Sequence, residues 1–228
     1  MFERIKKVFA ADKVETAPAA PSDDPVSEWA GTRGFSYSGT GDGKGFALKG
    51  SVANRPWKLE RGKASRDYIR GEELRARGEI KVNDDASVLI MNRPLKDALE
   101  KRAYQAYTDT LQTTADPSLP EEMRWLAMYP EVGWDSVPKP FWDRYAVMAD
   151  QKAHAQAWLD AHLIELLMSW PEPSPDPQVP FILMVLRGKS YLRMQYTPAD
   201  MPTLEHAAQI FTCACESAIT GLSNDLTL

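Results

Sequence analysis

The sequence predicts an α+β fold, with an antiparallel sheet in the N-terminal half and a strand–helix–hairpin–helix half packed on it. Three observations carry this expectation. Residues 35–91 alternate apolar and polar side chains with a period of two, broken by turn residues. "FILMVLRGKSYLRMQYT" reads as two strands around a tight turn at Gly188-Lys189. Leu204, Ala207, Ala208, Phe211, Cys215, Ala218 and Leu222 form one apolar stripe at helical spacing.

The elements follow in order. Residues 1–27 read as an amphipathic segment and a linker. Phe2, Ile5 and Phe9 fall on one side of a short helix, with Arg4, Lys6 and Lys7 beside them. One reading is a tether that docks on a partner or touches a membrane surface weakly; the other is a frayed terminus. "ADKVETAPAAPSDDPVS" has little to bury and reads as flexible.

Residues 28–112 hold the first sheet and a helix. In "EELRARGEI", Leu74, Ala76, Gly78 and Ile80 face one way while Glu73, Arg75, Arg77 and Glu79 face the other. One dry and one wet face is the mark of an antiparallel sheet. "RPWKLERG" alternates likewise, and "ASVLIMNR" reads as a more buried strand. Pro94 then opens a helix, where a missing N–H costs nothing. Residues 113–141 form an irregular connection rich in proline and tryptophan, with one short helix at "EEMRWLAM". Residues 142–228 carry the strand "RYAVMAD", the helix "QKAHAQAWLDAHLIELLMSW" capped by Asp150, a proline-rich loop, the hairpin and the last helix.

Composition bounds the function. The chain has 228 residues and a net charge of -5, which argues against nucleic acid as a partner, since that needs a basic surface. The two cysteines, Cys213 and Cys215, are too few and too close for a disulfide framework. They read as reduced structural thiols of a cytoplasmic protein. No apolar run reaches the roughly 18 residues of a membrane span.

"YSGTGDGKGFALKG" has the glycines of a phosphate loop, but a strand follows where a helix is needed, so it reads as a turn. His154 and His162 lie about 12 Å apart along one helix, too far to share a metal. No metal and no cofactor is expected. No nucleophile elbow is present, so catalytic residues are not assigned.

Two groups stand as candidate sites. Arg66, Arg70, Arg75 and Arg77 lie in a charge-rich stretch and suit phosphate or carboxylate groups; the plainer reading is cross-strand ion pairs. Trp125, Tyr129, Trp134 and Trp142 are candidates for contact with a protein partner; the plainer reading is that they seal sheet against helices.

The segment "FWDRYAVMADQKAHAQAWLDAHLIELL" and the hairpin after it resemble an uncharacterised family of bacterial cytosolic domains. The resemblance covers the last ninety residues or so and implies no activity and no catalytic residue. The expected function is a non-enzymatic cytoplasmic interaction or adaptor module with a protein partner. The alternative is an enzyme, such as a hydrolase, using the arginine-rich face for an anionic ligand. Oligomeric state is not legible.

Overall fold

A computed structural model describes residues 25–41, 45–110 and 121–223. The tether read from Phe2, Ile5 and Phe9 therefore lies outside the described residues. In chain order the first half holds α1 (Pro25–Thr32), β1 (Ser36–Gly39), β2 (Phe46–Val52), β3 (Arg55–Lys63), β4 (Glu72–Gly78), β5 (Ser87–Asn92) and α2 (Arg93–Thr110). There follow α3 (Glu121–Met128), β6 (Glu131–Val132), α4 (Lys139–Arg144), β7 (Tyr145–Ala149), α5 (Lys152–Trp158) and α6 (Ala161–Met168). The chain ends in β8 (Phe181–Leu186), β9 (Lys189–Gln195) and α7 (Met201–Gly221). The α+β class expected from the sequence is the class observed.

The strands of both halves form one antiparallel sheet of nine, in the order β1-β2-β3-β4-β9-β8-β5-β7-β6. The second half thus does more than pack on the first. β9 pairs with β4, and β5 is held between β8 and β7.

Because strand side chains alternate, each strand divides its residues between two faces. The inner face carries Leu48, Leu59, Leu74, Val88, Ile90, Val147, Val185 and Leu192, all buried. These pack in the main core with residues of α5, α6 and α7. Phe211, on the stripe of α7, stacks edge-on against Trp57 at 6.2 Å. Burying a side chain of this kind stabilises by about 1.5–3 kcal/mol.

The outer face is split. Over β5, β7 and β8 it is apolar: Leu89, Met91, Ala146, Met148, Ile182 and Met184 form a second core with residues of α2 and α3. This explains why all six residues of β5 are buried. Over β2, β3, β4 and β9 the same face is charged.

Several local details depart from expectation. The helix foreseen over 151–170 is two helices that break at Leu159-Asp160. Asp150 caps neither. It accepts from the Ser87 amide at 2.9 Å and meets His154 Nδ1 at 2.8 Å. Asp160 is the residue that caps, accepting from Leu163 N at 2.8 Å and from the Ser217 hydroxyl at 2.6 Å. In the β8–β9 hairpin the two turn residues are Arg187 and Gly188, both at positive φ, so glycine stands second rather than first. Pro25 to Ser27, expected in the linker, belong to α1.

Candidate functional site

The charged half of the outer face is built by register. Lys49, Lys58, Arg77 and Tyr191 are successive cross-strand partners on β2, β3, β4 and β9, and Met184 on β8 continues the row. A parallel row runs Ala47, Glu60, Arg75, Arg193 and Ile182. Each strand supplies these positions because its intervening residues (Leu48, Leu59, Ala76, Leu192) are held in the core.

A cavity of about 550 Å³ opens over this face. Its lining includes five cations, Lys49, Lys58, Arg75, Arg77 and Arg193, against Glu60 and Glu79. The pairing among them is uneven. Lys58 Nζ meets Glu60 Oε1 at 2.7 Å, and Arg77 Nη2 meets Glu79 Oε1 at 2.6 Å. Both pairs are well exposed, so they add little to stability. The side chains of Lys49 and Arg75 make no ion pair and no hydrogen bond among the described residues. Arg75 is half-buried and reaches along the face toward Gly62, where a methyl group would stand 3.7 Å from its Nη2. Tyr191 lies beside Arg77, whose guanidinium carbon is 6.0 Å from the ring centre.

One edge of the cavity is fixed by a buried charge network. Glu73 and Glu122 are fully buried. Arg193 lies between them, with Nη1 donating to Glu122 Oε1 at 2.7 Å. Its Nε is 2.8 Å from Glu73 Oε1 but makes no hydrogen bond, so that contact is Coulombic. Glu73 also accepts from the Ser65 amide at 2.6 Å and the Ser65 hydroxyl at 3.1 Å. Glu122 Oε1 further accepts from Arg66 Nε at 2.6 Å and Tyr68 O–H at 3.0 Å, while its Oε2 is buried with no hydrogen bond among the described residues. Burial and the neighbouring carboxylate push the Tyr68 hydroxyl far above its ordinary range, so it stays a donor. This network ties the 64–71 loop and α3 to the sheet.

The four arginines singled out in the sequence do not converge. Arg75 and Arg77 line the cavity. Arg66 is committed to Glu122, and Arg70 lies exposed on the loop, its backbone N–H donating to Gln195 Oε1 at 2.9 Å. Lys49, Lys58, Tyr191 and Arg193 were not singled out. The alternation of "KSYLRMQ" puts Tyr191 and Arg193 on a wet face, but nothing in it says that this strand pairs with β4.

The aromatic candidates sit in packed surroundings. Trp125 is buried in the second core, and Tyr129 packs against it. Trp134 and Trp142 stack edge-on at 5.3 Å and pack against the main core.

Among the described residues no group of three or more His, Cys, Asp or Glu is placed to hold a metal ion. None of the described helices is long and apolar enough to cross a membrane. No protein-family model, no curated protein and no solved structure matches this chain.

Proposed function

We propose that this chain is a non-enzymatic interaction module that takes an acidic surface of a protein partner on the open half of its outer sheet face. The observation that carries the reading is the split of that face. Where the face is apolar, the chain covers it with α2 and α3. Where it is cationic, none of the described helices covers the face around Lys49 and Arg75, whose side chains form no ion pair among the described residues. An overall charge of -5 makes this local concentration of positive charge the more specific. Carboxylates are the complement, because arginine donates to them in pairs and lysine as a point charge.

The test is direct. A fluorescent glutamate-rich peptide is titrated into the protein at low and at physiological salt. Replacing both Lys49 and Arg75 by alanine removes two side chains without breaking an internal ion pair, so the unfolding midpoint stays nearly unchanged. Binding weakens by about tenfold or more, the size of lost charge-assisted contacts. Undiminished binding by the double variant would overturn the reading.

A further inference from the structure

We infer that the acidic surface is an α-helix of the partner lying across the strands, with carboxylates over Lys49, Lys58 and Arg77 and an apolar side chain over Tyr191 and Met184. The inference rests on the preceding reading and adds the shape and polarity of the occupant.

The row of register partners is cationic over three strands and then turns aromatic and apolar. A uniformly acidic ligand would satisfy one end and waste the other. Tyr191 packs against the second core, and Met184 belongs to it, so the apolar end of the row is continuous with the part that α2 and α3 already cover.

Spacing favours a helix. Neighbouring strands are about 4.8 Å apart, so Lys49 to Met184 spans four steps, about 19 Å. Side chains three or four apart on a helix face are separated by about 5–6 Å, and twelve helical residues rise about 18 Å. Acidic residues at i, i+4 and i+7 therefore fall near the three cations, and an apolar residue at i+11 falls near Tyr191 and Met184. An extended chain presents one face every 6.6–6.8 Å or so and drifts out of step by the third position.

The neighbouring row is less available. Glu60 stands in it, and its Arg193 is held by the fully buried Glu73 and Glu122. Lys58 and Arg77 of the first row are instead paired with the exposed Glu60 and Glu79, pairs that a ligand carboxylate can replace. Carboxylates are thus favoured over the first row, with Arg75 flanking it.

The experiment uses the full chain and four probes. Three are labelled sixteen-residue peptides: one with glutamates at i, i+4 and i+7 and leucine at i+11, one of the same composition with period-two spacing, and one with the leucine replaced by serine. The fourth is a single-stranded oligonucleotide of similar charge. The helically spaced peptide binds at least tenfold tighter than either other peptide, gains helical circular dichroism on binding, and loses its leucine advantage against Tyr191→Ala. Equal binding of all three peptides, each weakened by loss of Lys49 and Arg75, overturns the helix and leaves the acidic-surface reading standing. Absence of binding by every peptide overturns both. Preference for the oligonucleotide, abolished by the same double variant, overturns the protein partner.

Discussion

The thiols of Cys213 and Cys215 are set by burial. Burial pushes them up to about 11 and about 12, and both stand in the inner core. A raised value keeps the thiol protonated, so the thiolate that reacts with alkylating agents is scarce at pH 8. Iodoacetamide at that pH leaves both unmodified in the folded protein and labels both after unfolding, read by mass spectrometry. Rapid labelling of the native chain at pH 8 would contradict this account. The burial of Cys215 was legible in the sequence because helical spacing puts it on the apolar stripe; that of Cys213, which lies off the stripe, was not. Nor was the burial of Glu122. Its charge says surface, and a buried carboxylate becomes tolerable through donors distant in sequence: Arg193, 71 positions later, and Arg66 and Tyr68, 56 and 54 positions earlier.

At the scale of elements, Asp160 does two things. It caps α6 and holds the Ser217 hydroxyl of α7, so it joins two helices packed side by side. Asp160→Ala removes both bonds and lowers stability by about 1–2 kcal/mol, measured by urea denaturation. A change under about 0.3 kcal/mol would show the cap to be idle. The run "QKAHAQAWLDAHLIELLMSW" gave no warning of the break, because apolar spacing continues through it. What breaks it is tertiary: Trp158 Nε1 donates to Ala214 O at 2.9 Å, and a side chain at Gly221 would collide with the Ala157 carbonyl. α5 is thus packed closely against α7 just before the break. Turn chemistry was read only in part: the reversal at Gly188 was expected one residue further on, at Gly188-Lys189, and the one at Ala53-Asn54 was not read at all. Arg187-Gly188 and Ala53-Asn54 each reverse the chain in two residues at positive φ, and the glycine and asparagine there suit that conformation.

For the whole molecule, period-two alternation made the faces of β3 and β4 readable, and Arg75 and Arg77 do stand on the wet one. Which strands become neighbours was hidden, because pairing depends on side chains over a hundred positions apart. Arg75 meets Arg193 across β4 and β9. The candidate site was therefore legible only to half its width. Lys49, Lys58 and Tyr191 entered it through register, which no local pattern encodes.

The placement of β5 has a mechanical meaning. It comes from the first half of the chain, yet both its neighbours, β7 and β8, come from the second. The two halves are therefore interlocked like clasped fingers. A protease site inserted between Asp135 and Ser136, both exposed, cuts the polypeptide without opening that clasp. The two pieces should co-elute in size-exclusion chromatography and separate only in denaturant. Pieces expressed apart should each be insoluble, since each leaves strand edges bare, and should regain a folded form when refolded together. Spontaneous separation of the nicked pieces in native buffer would show that the clasp does not hold.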